Sequence, residues 1–237
     1  MISPELETAL EASWPAAKYA MAGTFHAGCA QDGGMRVNSA RPVTPNWIED
    51  DIQQVEAIQA RWNQPPTIQV SADDRRLAEL LNASGWQART PTLIMSAPVT
   101  ALTDRQVPPV TSFALWPPLA IQRELWAELG IGPARQAIIE RVSLPKAAIL
   151  GRVDDRAAGV AFIAACDKLA VLHALEIVPN LRRKGLAGWI IRKAAFWAGT
   201  HGCKALCLAV TRDNSPAITL YRGLGFTETG GYSYYMR

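Results

Sequence analysis

The sequence predicts an α/β fold with a mixed sheet, and three observations support this prediction. Apolar segments of strand length alternate with amphipathic segments of helix length along most of the 237 residues. A proline-rich stretch, residues 98–118, interrupts the alternation near the middle of the chain. One strand–turn–helix segment before this stretch can be aligned without a gap with another segment after it. We therefore expect two related halves, residues 1–105 and 106–237.

The first half is expected to contain both helices and strands. Ser3, Pro4 and Glu5 predict a helix start, because a capping hydroxyl, a proline and an acid suit a first helical turn. Ser13, before a tryptophan and a proline, predicts a second start. Further helices are predicted over residues 46–63 and 73–84, and strands over residues 24–29, 35–40, 67–70 and 92–97, with a turn at residues 32–34.

The second half repeats this mixture after the proline-rich stretch, which is expected to be a connector that crosses between the halves. The repeating apolar positions predict elements of both kinds. Helices are predicted over residues 121–129, 134–142, 185–200 and 215–224, and strands over residues 147–153, 159–165, 171–178 and 205–210, with one or two more over 226–235.

An internal similarity relates the two halves. Residues 68–86 align with residues 208–226, and both segments read as strand, acidic turn, helix, glycine and aromatic residue. Two related halves packed as a pseudo-pair would explain the match, although any strand–turn–helix unit has similar features. The first half has Leu81 where the second has Tyr221, and it lacks a glycine-bearing basic loop before its helix. If the halves are related, only the second keeps the chemistry.

Composition and charge narrow the class of protein. Hydrophobic residues make up 49% of the chain and charged residues 19%, a balance typical of globular proteins. The net charge of +3 is too small to predict nucleic acid as the main partner. No apolar run reaches the ~20 residues of a membrane span, and the N-terminus does not read as a secretory signal, so we expect a cytoplasmic protein. The cysteines and histidines lack metal-ligand spacing, so no metal is expected.

Residues 178–188 are the most informative about function, because they join a predicted strand to a predicted amphipathic helix. A helix N-terminus attracts anions through its free N–H groups, and small residues there let a phosphate approach the backbone. Three cations at a helix N-terminus oppose its dipole, which indicates a bound anion, although a solvated helix end would also accommodate them. The candidate residues are Arg182, Arg183, Lys184, Gly185, Leu186, Ala187 and Gly188.

At these residues the sequence resembles the GCN5-related N-acetyltransferase (GNAT) superfamily. The family's phosphate loop, R/Q-x-x-G-x-G/A, is met by residues 182–187. A second element, N-x-x-A-x-x-x-Y-x-x-x-G-F, is met by residues 214–226. The resemblance covers roughly residues 120–237. It implies an acyl-CoA N-acyltransferase (GNAT) fold for the second half and, through the internal alignment, a degenerate GNAT-like domain for the first.

The resemblance also implies roles for individual residues. In this family the loop amides bind the pyrophosphate of CoA, which implies acetyl-CoA as co-substrate. Backbone groups of the preceding strand pair with pantetheine, which implies Ile177 and Val178. Asn214, in the second element, is expected to belong to the cofactor site. Tyr221 of the same element is expected to act as general acid, although it could also be a packed core residue.

The resemblance leaves the identity of the general base open. The strand around His173 is similar to that of arylalkylamine N-acetyltransferases, where a histidine helps to deprotonate the amine. A lone histidine in an apolar strand can equally be structural, and many relatives instead use a glutamate at the position of Val171. Glu176 points to the opposite face in a regular strand, unless a bulge re-aims it. It could hold the substrate ammonium, pair with an arginine or act as base through water.

The resemblance implies an N-acetyltransferase that moves an acetyl group from acetyl-CoA to a primary amine, either a small amine or a peptide amino group. The transfer would occur by direct attack, without a covalent enzyme intermediate. A non-catalytic CoA-binding module and a nucleic-acid site at the basic triplet are the alternatives. Tyr232, Tyr234 and Tyr235 are interpreted as strand-forming aromatics rather than as part of the acceptor site. A monomer or homodimer is expected.

Overall fold

A computed structural model describes residues 2–30 and 32–237. The helices are α1 (Pro4–Ala12), α2 (Glu49–Arg61), α3 (Arg75–Ala83), α4 (Val99–Leu102), α5 (Ala120–Glu128), α6 (Pro133–Arg141), α7 (Leu186–Thr200) and α8 (Ser215–Gly223). The strands are β1 (Lys18–Ala22), β2 (Phe25–Cys29), β3 (Ala40–Pro42), β4 (Thr67–Ser71), β5 (Gln87–Pro98), β6 (Ser112–Leu115), β7 (Lys146–Val153), β8 (Arg156–Cys166), β9 (Leu169–Ile177), β10 (Ala205–Thr211) and β11 (Thr227–Met236).

All these strands belong to one mixed sheet, which confirms the predicted fold class. The strand order is β1-β2-β3-β4-β11-β5-β10-β9-β8-β7-β6. The order and directions repeat about the central β11–β5 pair. On each side the next contacts are antiparallel (β4–β11 and β10–β5), then parallel (β3–β4 and β9–β10), then antiparallel (β2–β3 and β8–β9). The two halves are therefore related by a pseudo-twofold axis, as the internal alignment predicted.

The pseudo-twofold also shows that the halves exchange their last strands. β11, from the end of the second half, lies between β4 and β5 of the first, and β5 lies between β11 and β10. The two exchanged contacts have the same register, because Ser71 pairs with Tyr232 and Thr211 pairs with Thr92. Each half of the sheet is thus completed by a strand of the other, which covalent order alone does not reveal.

Two helix layers cover the sheet. α7 and α8 pack on the face that presents Leu172 of β9, and α1 packs on the opposite face, which presents the neighbouring Val171. α5 and α6 cover β7 and β8 on the α1 side. In α7, Ile190 and Ile191 are fully buried, and each contributes roughly 1.5–3 kcal/mol to the free energy of unfolding. This burial fixes the N-terminus of α7 against the sheet.

Two predictions in the first half are wrong. Ser13 does not begin a second helix: it ends α1 as its C-terminal cap, and the chain then turns into β1. The predicted strand over residues 35–40 is instead a short 3-10 turn (Met35–Val37) followed by β3. Gly34 has a φ of +89°, and Asn38 accepts a hydrogen bond from the N–H of Ala30, so the loop folds back before pairing begins.

The proline-rich connector is more ordered than expected, since it contains α4 and β6. β6 pairs with β7 at one edge of the sheet. The boundary predicted between residues 105 and 106 separates the halves by covalent order, and it stays a prediction. Within the described residues, every helix is too short or too polar to cross a lipid bilayer.

Candidate active site

The site lies where two parallel strands of the sheet separate. β9 and β10 pair only from Leu169 with Ala205 to Leu172 with Leu208, and the strands then diverge. Two cavities open along the gap, one of about 520 Å³ on the α7 side and one of about 400 Å³ towards the first half. Their walls share Leu175, Glu176, Asn214 and Tyr221. A ligand in one cavity therefore meets a ligand in the other at these residues.

A β-bulge in β9 shapes this junction. Phe162 of β8 pairs with His173, and Val160 pairs with Glu176. A step of two residues along β8 therefore corresponds to a step of three along β9, and the extra residue of β9 forms the bulge. Ala174 has a left-handed φ of +49°, and the buried Trp126 donates its indole N–H to the Ala174 carbonyl at 3.0 Å. Because Phe162 and Val160 lie on one face of β8, the bulge brings Glu176 to the same face as His173.

The larger cavity, here called the α7 cavity, is bounded by the loop before α7. Gly185 caps the helix with a left-handed φ of +79°, and no side chain caps the first N–H groups. A Cβ added to Gly185 or to Gly188 would meet nothing within 4 Å, so both backbones are open to the cavity. The unpaired N–H groups of the first turn and the helix dipole create a site for an anion.

The basic residues of the loop differ in their contacts. The Nε of Arg182 donates to the Ile177 carbonyl at 3.0 Å, which ties the loop back to β9. Arg183, with a φ of +65°, lines the cavity, whereas Lys184 pairs with Asp154 and points away from the wall. Of the predicted cofactor residues, Val178 also lies outside the wall, where its N–H donates to the Ala158 carbonyl.

Tyr221 lies in α8 and lines both cavities. It is only 8% exposed, and burial together with the nearby charge of Glu176 raises its pKa to about 12. Its hydroxyl forms no hydrogen bond with any residue of the described ranges, although its ring packs on Phe226. The phenol therefore keeps its proton at neutral pH and is available to a ligand.

Asn214 has a structural contact as well as a place in both walls. Its side-chain oxygen accepts the N–H of Ala217 at 3.2 Å and so caps α8. In the first half Asp74 caps α3 in the same way, through the N–H of Leu77. The cap fixes the start of α8, and Tyr221 follows two turns later.

A sequence model of the acetyltransferase (GNAT) family matches residues 119–226. This segment belongs to the GNAT family. The match contains the bulged strand, the loop before α7 and Tyr221, so the geometry above is that of a GNAT domain. The outcome agrees with the resemblance found in the two sequence elements.

Curated relatives match a shorter part of the chain. An uncharacterised N-acetyltransferase of Bacillus subtilis, YhfO, is 34% identical over 68 residues, or 29% of this chain and 46% of that protein. An aminoglycoside N(6')-acetyltransferase of Acinetobacter haemolyticus is 32% identical over 66 residues, or 28% of this chain and 46% of that protein. The chain thus spans less than half the length of these relatives.

Solved structures extend the similarity of fold to both halves. A GCN5-related N-acetyltransferase from Kribbella flavida has a TM-score of 0.74 at 16% identity, and the match covers 97% of this chain and 91% of that one. A tandem GNAT protein from the clavulanic acid biosynthesis pathway has a TM-score of 0.62 at 15% identity, covering 84% and 74% of the two chains. Identities this low show the fold alone, and the fold is that of two GNAT-like halves in tandem.

Within the GNAT half, the two candidate bases have different surroundings. Glu176 lies between both cavities, and burial raises its pKa above its ordinary value, against the opposing charges of Arg182 and Arg135. His173 is 7% exposed and is engaged on both ring nitrogens, with Arg36 at 3.2 Å from Nδ1 and Ser13 Oγ at 2.8 Å from Nε2. Burial, and then Arg36, lowers its pKa well below the ordinary value.

The contacts of His173 define its tautomer. An arginine can only donate, so Nδ1 accepts from Arg36, and Nε2 therefore carries the proton that it donates to Ser13. The Ser13 hydroxyl in turn lies 3.3 Å from the Leu10 carbonyl and donates to it. The lone pair that a base would need is thus already occupied by Arg36.

The smaller cavity, here called the junction cavity, receives much of its wall from the first half of the chain. Its first-half residues are Trp14, Gly33, Gly34, Met35, Arg36, Thr90 and Thr92. Tyr232 and Tyr234 also line it, which corrects their interpretation as strand-forming aromatics only; Tyr235 packs instead against α2 and α3. The sequence did not predict that the first-half residues line this cavity, because the exchanged strands and the loop at residues 33–37 reach the site through tertiary contacts.

Proposed function

We propose that the chain is an acetyl-CoA-dependent N-acetyltransferase that acts on a primary amine. The observation that carries the proposal is that the α7 cavity and the junction cavity meet at Glu176 and Tyr221. Acetyl-CoA would occupy the first cavity and the amine the second. The thioester and the amine would then meet between a carboxylate and a phenol.

The proposed acetyl-CoA site fits the chemistry of the loop. The pyrophosphate would bind the open N–H groups of Leu186, Ala187 and Gly188, close to the Arg183 guanidinium. Gly185 has room for a phosphate where any other residue would place a side chain. Ile177 and Leu175 supply the strand edge that the pantetheine arm would follow, and both line the α7 cavity.

The transfer requires the movement of two protons. A bound ammonium first gives one proton to the Glu176 carboxylate, because an amine with a pKa near ~10 is protonated in water at neutral pH. The amine nitrogen then attacks the thioester carbonyl carbon, the C–N bond forms and the C–S bond breaks. The departing sulfur takes a proton from the Tyr221 hydroxyl, and the nitrogen's second proton passes to the resulting Tyr221 phenolate. The proton held by Glu176 is released to solvent at the end of the cycle. The products are the amide and free CoA thiol.

Glu176 is proposed as the base in preference to His173. Its raised pKa makes it a stronger base than an ordinary carboxylate, and it lines both cavities. His173 has its Nδ1 lone pair directed at Arg36 and is proposed as a positioning residue. Burial favours the neutral carboxyl group of Glu176 and so favours proton transfer from the amine, whereas the charges of Arg182 and Arg135 stabilise the carboxylate and partly oppose the transfer.

Turnover tests the proposal. Acetyl-CoA consumption should release free thiol only when an amine acceptor is added, whereas a non-catalytic binding module would bind acetyl-CoA without acceptor-dependent release. Tyr221→Phe should lower kcat by roughly 10²-fold while leaving the Kd for acetyl-CoA unchanged, because it removes only the proton donor. Tyr235→Phe is the matched control, since Tyr235 lines neither cavity. Unchanged kcat in Tyr221→Phe would remove the phenol from the mechanism.

A further inference from the structure

The side chains that line the junction cavity carry more positive than negative charge. Arg36 and Arg135 both line it, and Glu176 is the one carboxylate among its described lining residues. Neither arginine forms an ion pair with a carboxylate of the described ranges. Arg135 interacts electrostatically with Glu176, as Arg182 does, but one carboxylate cannot balance both guanidinium groups of the cavity, so positive charge remains uncompensated there.

Arg36 is held in place by the protein itself. One of its nitrogens contacts His173 Nδ1 at 3.2 Å, and another donates to the Leu10 carbonyl at 3.2 Å. Both partners are neutral, so they orient the guanidinium without cancelling its charge. His173 is itself oriented through Ser13. This chain of contacts keeps a half-buried cation directed at the cavity, which is costly unless a ligand supplies the counter-charge.

Arg135 approaches the same cavity from the other half of the chain. It lies near the start of α6, and its guanidinium lies beside Gly34, where an added Cβ would be 3.5 Å from a terminal nitrogen. Gly34 and Arg36 belong to one short loop, so the two guanidinium groups converge on the cavity from opposite halves. The half-buried Arg36 is deeper, and the exposed Arg135 lies at the rim.

We infer that the acceptor is an amino-carboxylate, an amine that carries a carboxylate on the side away from the reacting nitrogen. This inference rests on the proposed function and specifies its substrate class. The amine would lie at Glu176, and the carboxylate would bind Arg36 with Arg135 closing over it. Arginine binds carboxylates through two parallel N–H donors, which gives both affinity and orientation.

The same charges disfavour a polycationic acceptor. One of the curated relatives is named for aminoglycosides, which carry several ammonium groups, and such a ligand needs several carboxylates. The junction cavity offers one carboxylate and two guanidinium groups. Its volume of about 400 Å³ suits an amino acid or a short peptide with a free carboxyl group.

Matched acceptors test this inference by thiol release. Each α-amino acid of a panel is compared with its carboxamide and with the amine that lacks the carboxyl group, and kanamycin serves as the polycation. We expect kcat/KM for the carboxylates to exceed that for the carboxamides by roughly 10- to 100-fold. Equal or higher values for carboxamides, decarboxylated amines or kanamycin would overturn the inference while leaving the acetyltransferase proposal intact.

Variants locate the effect. Arg135→Gln, at an exposed position, and Arg36→Lys should each lower kcat/KM for carboxylates more than kcat/KM for carboxamides. Arg123→Gln, whose side chain pairs with Glu140 on the outer surface, is the matched control. An equal loss for both acceptor types in Arg135→Gln and Arg36→Lys would contradict carboxylate recognition.

A binding measurement separates the inference from turnover. With CoA present, N-acetyl amino acids should raise the Tm of the wild-type protein more than their carboxamides do, because a ligand stabilises the state it binds. Absence of acceptor-dependent thiol release with every amine would reject the proposed function, and the Tm comparison would still decide the inference. No difference in Tm between carboxylates and carboxamides would overturn it.

Discussion

The N-termini of α2 and α7 occupy equivalent places in the two halves, and they are built in opposite ways. α2 begins with Glu49, Asp50 and Asp51, and the Asp51 carboxylate accepts the N–H of Ile48 at 3.1 Å and the hydroxyl of Thr24 at 2.7 Å. α7 has no acidic residue in its first turn and no side-chain cap. The first half therefore satisfies its helix terminus with its own carboxylates.

This difference explains how two halves with the same backbone fold can have an anion site at the helix N-terminus of one half only. A carboxylate at a helix N-terminus uses the same N–H groups and the same dipole as a bound phosphate. Asp51 is 4% exposed, and the turn glycine Gly23 leaves room for it, since an added Cβ there would lie 1.8 Å from the carboxylate. α7 leaves that place empty of protein and surrounds it with cations.

The residue proposed as general acid extends the comparison. Tyr221 in α8 corresponds to Leu81 in α3, which is fully buried and has no polar atom to offer. The elements themselves match closely: α3 and α8 have the same length, and each is followed by a glycine with positive φ, Gly85 and Gly225. The halves thus share backbone geometry and differ in the side chains that chemistry needs.

The largest effect is expected when the second half loses Glu176, its proposed base. Glu176→Gln should lower kcat by roughly 10²–10⁴-fold with little change in the Kd for acetyl-CoA, because the amide cannot accept the proton. The pH–rate profile checks the cause. The carboxylate must be ionised, and burial raises its pKa, so wild-type kcat should fall as the pH falls through that raised pKa, and the variant should lack this limb.

Glu228→Gln controls for the loss of a carboxylate, because Glu228 pairs with Arg212 at an exposed position outside both cavities. It should retain wild-type kcat. Full activity of Glu176→Gln would exclude Glu176 as the base and leave His173 as the candidate base.

A smaller effect, on stability alone, is expected when the first half loses its cap. Asp51→Ala should lower the free energy of unfolding by about 1–2 kcal/mol, since it removes the cap of α2. Burial raises the pKa of Asp51, but the hydrogen bonds from Thr24 and Ile48 outweigh it and hold that pKa below its ordinary value. The stabilisation is therefore present above the unfolded pKa of ~3.9 and is lost as the pH falls through the folded pKa.

Denaturant unfolding of Asp51→Ala at neutral and acidic pH measures this contribution. The difference between the free energies of unfolding of the variant and the wild type should become smaller on acidification, and the affinity for acetyl-CoA should not change. Weaker acetyl-CoA binding at unchanged stability would mean that the first half, too, takes part in binding the cofactor.

The smallest effect is expected from an exposed cation of the loop. Arg183→Gln should raise the Kd for acetyl-CoA roughly 2- to 5-fold, because the charge lies in solvent and is screened by salt. Arg222→Gln, at the exposed C-terminal end of α8, is the control. The difference in Kd between Arg183→Gln and the wild type should become smaller at high salt. A loss of affinity that does not depend on salt would indicate a direct, desolvated contact instead.

The features that the sequence predicted are local ones. The loop before α7 and the place of Tyr221 in α8 follow from residue types at short spacing, and the structure has both in their expected elements. The cap that Asn214 provides to α8 was not predicted. The exchange of β5 and β11 is non-local, and nothing in either strand distinguishes pairing within a half from pairing between halves.

The same limit applies to the site. The bulge at Ala174 depends on Trp126, nearly fifty residues earlier, whose indole holds the bulged carbonyl. Arg36 reaches the junction cavity because His173 and Leu10 hold it there. A regular strand would place Glu176 on the opposite face from His173, and the sequence alone left open whether a bulge changes this. The acceptor side of the site becomes visible only when the halves are packed together.

Titration calorimetry with acetyl-CoA tests most directly whether the two halves differ as described. Wild-type protein should bind one acetyl-CoA per chain. Gly185→Leu changes the loop before α7, and Gly85→Leu, at the end of α3, is its control for strain. Both glycines have positive φ and open space at Cβ, so each substitution strains the backbone similarly. Gly185→Leu should abolish binding and Gly85→Leu should preserve it. Two acetyl-CoA molecules per chain, or undiminished binding in Gly185→Leu, would contradict the assignment of the cofactor site to the N-terminus of α7.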